Sequence, residues 1–274
     1  MAKVTDEELA AYFGLSARLL PHLDELLADF DELGSDPGLV ASWLKKHGLG
    51  SLSRILDLGC GKGAAALPLA LELGCRVTGV DAYHPFIEEA QKRAAALGIA
   101  DRCRFRVGDI RREAEYETNH DAVLLLAVGS LFGGLGDTVG VLRRCVRPGG
   151  LMAIDDAYRL IPAVDFPGYD GLLDRRQTLA QLAAHGDEII AEKLWTRAES
   201  EEQNRRYQAR IEERGRRLAG RRPDLASDIA AYIEKERREC EIIERDIQGA
   251  VWLLRRAASN AGLPRKKSKG KKIT

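Results

Sequence analysis

Acids that end short apolar runs next to glycines are the residues of this chain best suited to bind and transform a ligand. The run Arg54-Ile55-Leu56-Asp57-Leu58 leads into Gly59-Cys60-Gly61-Lys62-Gly63, and a helix-forming stretch, Ala64 to Leu71, follows at once. This reads as strand, tight turn and helix. The glycines permit φ > 0 and close approach of a ligand to the backbone. The free N–H groups at the start of the helix point to the same place. Such a turn suits a nucleotide-like ligand or a carboxylate, the bland alternative being a structural glycine turn. Val77-Thr78-Gly79-Val80-Asp81 is a second run ending in an acid. Asp81 lies about 20 residues beyond the glycines, where a carboxylate can take both hydroxyls of a ribose. Gly59-x-Gly61-x-x-Ala64 also satisfies the dinucleotide pattern, so an NAD site stays open at this point.

The elements that must position these acids follow in order. Arg104-Phe105-Arg106-Val107 ends in Gly108-Asp109-Ile110, and Asp121 to Gly129 is a fourth apolar run. A helix end, Leu142 to Arg147, turns through Pro148-Gly149-Gly150 into a fifth run, Leu151 to Asp155. Strands are expected at Ile55–Leu58, Arg76–Val80, Arg104–Val107, Ala122–Ala127 and Leu151–Ile154, with helices at Ala64–Leu73, Pro85–Leu97 and Thr138–Cys145. That alternation predicts a parallel sheet with helices on both faces. Ligands of such sheets bind outside the carboxyl ends of the strands. The rule collects residues 59–63, 81–84, 109–112, 127–131 and 155–159 at one edge. His120 and Asp121 precede the fourth strand and fall at the opposite edge, so His120 is set aside despite its residue type.

In this order and spacing, Ser51 to about Asp156 resembles the class I S-adenosylmethionine-dependent methyltransferases, with the small-molecule branch favoured. The resemblance implies a Rossmann-like α/β fold with a seven-stranded, mostly parallel sheet and an antiparallel last strand. It implies S-adenosyl-L-methionine as cofactor and S-adenosyl-L-homocysteine as product. By the same resemblance, the turn of Gly59, Cys60, Gly61 and Gly63 packs against the methionine part, and Asp57 ties to the turn or to the amino group. Asp81 holds the ribose hydroxyls, and Ala82 or Tyr83 flanks the adenine. Asp109 accepts the adenine amino group with Ile110 against the ring, while Ala127 and Val128 sit near the amino-acid part. Cys60 fills the turn, since nothing in the sequence supplies it with a base. Tyr12, Phe13 and Arg18 are the N-terminal residues that would reach cofactor or substrate.

Methyl transfer is an in-line displacement that demands alignment and exclusion of water, and its nucleophile can need a general base. His84, Asp155, Asp156 and Tyr158 are the candidates at the carboxyl edge. Consecutive acids on a strand point to opposite faces, so one of Asp155 and Asp156 can face a substrate. It would bind a cationic amine, act as base, join a metal site, or only cap the next loop. His84 has an equally simple alternative, capping the helix that opens at Pro85.

Three further segments flank this core (51–196 and 246–258). Residues 1–50 form a helical cap: a capping box at Thr5-Asp6-Glu7-Glu8, a helix from Arg18 to Leu33 and another from Leu39 to His47. After the fifth strand a helix is expected at Leu172–Ala184, a sixth strand at Asp187–Trp195 and an antiparallel seventh at Ile247–Leu254. Between the last two lies a charged helical insertion, 197–245, broken near Gly220-Arg221-Arg222-Pro223. It is rooted at the carboxyl edge and reads as a substrate lid, or as a homodimer element whose apolar seam needs a partner. The tail, 259–274, is basic and reads as a disordered end. Over 274 residues, 42 basic and 42 acidic side chains cancel, which removes a global electrostatic case for nucleic acid. No apolar run reaches membrane-spanning length, and the polar N-terminus is no signal peptide. The five cysteines have no metal-ligand spacing, so no metal is expected, and they suggest reduced thiols in a cytoplasmic protein.

Overall fold

The computed structural model describes residues 4–30 and 36–258. Its strands are β1 (Arg54–Leu58), β2 (Arg76–Asp81), β3 (Cys103–Val107), β4 (His120–Leu126), β5 (Val146–Arg159), β6 (Glu188–Leu194) and β7 (Ile247–Arg255). They form one sheet in the order β3-β2-β1-β4-β5-β7-β6. β7 runs antiparallel to both neighbours and the other pairs are parallel. The helices are α1 (Asp6–Tyr12), α2 (Leu23–Leu26), α3 (Pro37–Lys46), α4 (Ala66–Leu73), α5 (His84–Ala96), α6 (Ile110–Tyr116), α7 (Leu135–Cys145), α8 (Arg175–Leu182), α9 (Arg197–Arg221) and α10 (Ala226–Asp246).

The central strands are apolar on both faces because both are covered. Ile55, Leu124, Ala153 and Val251 pack under α3, α4 and α5. Leu56, Val123, Ile154 and Trp252 pack under α6, α7 and α8. The register Asp57↔Leu124 and Leu126↔Asp155 brings the carboxyl ends of β1, β4 and β5 to one edge.

Three elements differ from the sequence reading. β5 continues through the two acids to Arg159, because β7 pairs with it from Leu151↔Arg255 to Arg159↔Ile247. A short helix, α6, follows β3, capped by the Asp109 carboxylate. The continuous helix expected from Arg18 is replaced by a 3-10 turn at Leu20–His22 and the single turn of α2. Pro21 supplies no N–H and restricts the residue before it. The chain ravels into short turns whose leucines point inward in several directions. Residues 31–35, the end of that expected helix, and 259–274, the basic tail, lie outside the described residues.

α9 and α10 form the expected hairpin, with Pro223 opening the 3-10 turn between them. Gly215 lets the helices approach closely, since a Cβ there would lie 2.6 Å from Ile233. The hairpin's apolar seam (Ile211, Leu218, Leu225, Ile229, Tyr232) shares one cluster with Leu19, Leu23, Leu26, Leu27 and Phe30 of the N-terminal segment. The surface on which the dimer expectation rested is thus filled from within the chain. Arg214 pairs with Asp29, and Arg18 with Asp228 at 2.8 Å, around the rim of that contact.

Candidate active site

At the end of β1 the chain turns through Gly59, Gly61 and Gly63, all at positive φ (+77°, +51° and +83°). The turn is tied to β2 by Gly59 and Cys60, whose N–H groups both donate to the Val80 carbonyl, at 2.8 and 3.0 Å. Gly59 has no room for a side chain, because a Cβ would overlap Val128 in the loop after β4. Gly61 is the opposite case: its Cβ position faces open space.

Two carboxylates flank the turn. Asp57 is buried, accepts the N–H of Ala66 at the start of α4, and leaves Oδ2 with no partner. Burial, then the charge of Asp81, push its pKa up to about 7. The Asp81 carboxylate accepts the N–H groups of Gly61 (2.9 Å, Oδ2) and Tyr83 (2.8 Å, Oδ1). Burial raises its pKa more than these hydrogen bonds lower it. Both oxygens keep lone pairs for a further donor. Cys60 packs against the bare backbone of Gly79, where a Cβ would sit 2.8 Å from its sulfur. Burial, with Asp57 and Asp81 beside it, lifts its pKa well above the usual thiol value, so it stays a thiol filling the turn.

Tyr12 joins this group from α1. Its hydroxyl donates to the Val128 carbonyl at 3.0 Å. The residue is 44% exposed, but its hydroxyl end is turned inward, and that burial with the charge of Asp81 holds it protonated. The loop it reaches is constrained: Ala127 sits at φ +55° and Gly129 at +68°. An alanine in the left-handed region costs roughly 1–2 kcal/mol, so the surroundings impose this shape. At the end of β3, Asp109 caps α6 and accepts the Arg111 N–H at 2.9 Å. Burial raises its pKa, but the Arg111 hydrogen bonds and charge outweigh that and leave it lowered. Ile110 is buried beneath it.

The other candidates separate. Asp155 and Asp156 point to opposite faces, as the alternation required. Asp155 shares the face of Asp57, on the far side of β4; it is 9% exposed and its Oδ2 has no partner. Burial, then Asp156, raise its pKa well above the carboxylate range. Asp156 accepts the Ala157 N–H at 2.7 Å, and burial raises its pKa too. Tyr158 lies on the Asp156 face, buried in the core beside Arg175 of α8. His84 is exposed, with Nδ1 3.9 Å from Glu88. β1 and β4 separate it from β5, about 14 Å at ordinary strand spacing. Neither Tyr158 nor His84 meets the other candidates. Tyr83 lends only its N–H to the site. Its ring packs on Phe86 and Phe13, and its hydroxyl donates to the Leu20 carbonyl at 3.0 Å. Phe13 belongs to that aromatic cluster, and Arg18 to the rim ion pairs, rather than to the turn. His120, the first residue of β4, is buried at the amino edge, 2.6 Å from Glu117, as the carboxyl-edge rule required. Among the described residues no group of three His, Cys, Asp or Glu side chains is placed to hold a metal.

Sequence reasoning passed over Lys62. Its ammonium donates to the carbonyls of Leu27 (2.5 Å) and Phe30 (3.1 Å) and lies 5.4 Å above the Phe86 ring. Its only signal in the sequence is its place between two glycines.

Comparison with known proteins fits this geometry. Residues 55–150 match a family described as a methyltransferase domain. An uncharacterized protein of Escherichia coli, YjhP, is 34% identical over 116 residues, 41% of this chain and 46% of that protein. A ubiquinone biosynthesis O-methyltransferase of Methylocella silvestris is 40% identical over 102 residues, 36% of this chain and 38% of that enzyme. These matches span less than half the length of either relative. A SAM-dependent methyltransferase of Geobacter sulfurreducens, solved with S-adenosyl-L-homocysteine, superposes with a TM-score of 0.72 at 24% identity, covering 85% of this chain and 96% of that one.

Proposed function

Because residues 55–150 carry a methyltransferase domain and the sheet has the class I order, we propose that the protein transfers a methyl group from S-adenosyl-L-methionine to a small-molecule acceptor, releasing S-adenosyl-L-homocysteine. The observation that carries this reading is the buried Asp57 carboxylate, whose Oδ2 has no partner, beneath a glycine turn that faces open space at Gly61, with Asp81 beside it. An unpaired buried carboxylate calls for a cation or a donor. S-adenosylmethionine offers an ammonium for Asp57 and ribose hydroxyls for Asp81, so the residues present fit it. When bound, it supplies an electrophilic methyl group on a sulfonium. Gly59, Cys60, Gly61 and Gly63 line its amino-acid part with Val128 and Ala127. Asp109, Ile110 and Ala82 receive the base, and Tyr12 closes the cleft from above.

Asp155 is the acceptor-side base. It sits across β4 from Asp57, has no hydrogen-bond partner among the described residues, and is held at raised pKa by burial. Once ionised, a carboxylate so buried is a stronger base than an exposed one and takes the proton that an amine or hydroxyl loses as it gains the methyl group. Asp156 supports this strand end through its bond to Ala157. The small-molecule class is favoured by the N-terminal cap and the α9–α10 hairpin, which pack on one another beside the carboxyl edge and narrow the approach. The arginines of α9 are largely paired with acids of their own surface, as in Arg206–Glu202 and Arg217–Glu213, which weighs against a nucleic-acid face. Among the described residues no helix is long and apolar enough to cross a membrane. The five cysteines are free, in keeping with a cytoplasmic setting.

The test is label transfer. Purified protein is incubated with methyl-labelled S-adenosylmethionine and a cell extract divided into metabolites, RNA and protein. Label is expected in one metabolite peak, whose mass identifies the acceptor. Label confined to RNA or protein would refute the small-molecule reading, and binding without any transfer would point to a scaffold.

A further inference from the structure

Lys62 is an unusual residue to find where it is. It belongs to the glycine turn, yet it is only 9% exposed and its ammonium reaches the N-terminal cap. A buried ammonium needs its donors satisfied. Here Leu27, the C-cap of α2, and Phe30 supply two carbonyl oxygens, and the Phe86 ring supplies a π face. Leu27 and Phe30 are buried in the cluster that joins the cap to the hairpin. The backbone of Lys62 lies between Gly61, which hydrogen-bonds Asp81, and Gly63. One residue therefore has its main chain in the ligand-facing turn and its ammonium inside the cap. The cap touches the carboxyl edge again in two places, where Tyr12 holds Val128 and Glu8 lies 4.0 Å from Arg111.

We propose that Lys62 is a positioning residue that fixes the glycine turn and the N-terminal cap to each other, so that occupancy of the cleft and docking of residues 4–30 are one coupled event. The inference rests on the reading of the turn as the S-adenosylmethionine site. A ligand that holds the turn in its bound shape holds the Lys62 backbone, and through the ammonium holds the carbonyls of Leu27 and Phe30. A docked cap in turn restricts the turn to the shape that binds. Coupling of this kind is reciprocal.

Hydrogen exchange of the full chain, with and without S-adenosylhomocysteine, reads the coupling. In the wild type, ligand is expected to slow exchange of amides 15–30 about tenfold. In Lys62→Met those amides exchange faster without ligand, the ligand no longer slows them, and calorimetry gives a Kd about tenfold weaker. A merely structural lysine would speed exchange in the variant but leave both the ligand's effect and the Kd unchanged; that result overturns the proposal. A second measurement needs no variant. In the wild type, acetic anhydride should acetylate Lys62 at least tenfold more slowly than exposed Lys92, and ligand should slow it further. Equal labelling of Lys62 with and without ligand also overturns the proposal. If wild-type protein shows no binding of S-adenosylhomocysteine in the calorimeter, it is the assignment of the site that has failed.

Discussion

The two edges of this sheet carry the same kinds of side chain in opposite states. At the amino edge, Asp121 accepts from Arg147 Nε (2.7 Å) and from the Arg54 N–H (2.8 Å). Glu117 has one oxygen on Arg106 and the other on His120. Burial alone would raise the pKa of both acids, yet these partners leave both lowered. At the carboxyl edge, Asp57 and Asp155 each bury an oxygen with no partner, and Asp57, Asp81, Asp155 and Asp156 are all raised, with burial the largest cause. A buried charge left unpaired is costly, and one edge avoids that cost while the other retains it. Asp109, paired with Arg111, is the exception at the carboxyl edge. Buried carboxylate oxygens without a partner, at the edge where ligands of such sheets bind, are what the proposed site rests on.

The contrast breaks most visibly if the carboxyl-edge acids turn out to be dispensable. Asp155→Asn should lower label transfer about a thousandfold, within the usual range for a general base. It should leave S-adenosylhomocysteine affinity nearly unchanged, as the acceptor-side role proposed for Asp155 requires. Near-normal turnover in a single-turnover assay would remove Asp155 from the chemistry. Asp81→Ala should weaken S-adenosylhomocysteine about a hundredfold by calorimetry, the value of two hydrogen bonds to a charged group. Unchanged binding there would overturn the site itself.

The alternation of runs, the glycine turn and the carboxyl-edge rule were enough to bring Asp57, Gly59, Gly61, Asp81 and Val128 together around one turn. They also set Asp155 and Asp156 on opposite faces and His120 at the wrong edge. These are consequences of periodicity and chain order, which are local. What escaped is non-local. The length of β5 depends on β7, nearly a hundred residues later. The Tyr12–Val128 bond joins residues 116 apart. Tyr83 looked like a ligand neighbour, but its ring follows an aromatic cluster assembled from the cap. α6, seven residues with five of them charged or tyrosine, has too little apolar periodicity to announce itself, and only its Asp109 cap gives it away. Lys62 gave no signal beyond its place between two glycines, and the carbonyls of Leu27 and Phe30 that it meets are main-chain groups that any sequence could supply.

Titration sharpens the contrast further. The Asp57 carboxyl titrates at about 7 in the folded protein and near 4 in an unfolded chain. As pH rises between those values, the unliganded protein loses stability, because only the folded state still holds the proton. A cationic ligand group prefers the ionised form. Affinity for S-adenosylhomocysteine should therefore rise about tenfold from pH 6 to pH 8, as expected for one carboxyl titrating near 7. Asp57→Asn should bind weakly and lose this dependence. A flat profile in the wild type would mean that Asp57 does not meet the ammonium.

The amino edge supplies the smallest effect and the necessary control. The folded pKa of Asp121 is lowered, burial opposing and Arg147 with the Arg54 N–H prevailing. Its stabilisation is therefore complete above the unfolded carboxyl value and fades as pH falls through the lower, folded one. Asp121→Asn should cost about 1 kcal/mol in urea unfolding at pH 7, given the half-exposed arginine it pairs with. The difference from wild type should shrink in acid. Asp121 lies about 16 Å from the ligand edge along β4 at ordinary strand rise, so S-adenosylhomocysteine affinity should stay within about twofold of wild type, as for independent sites. If this variant instead weakened binding as much as Asp81→Ala, the two edges would be energetically one. Pairing state would then no longer distinguish scaffold from site.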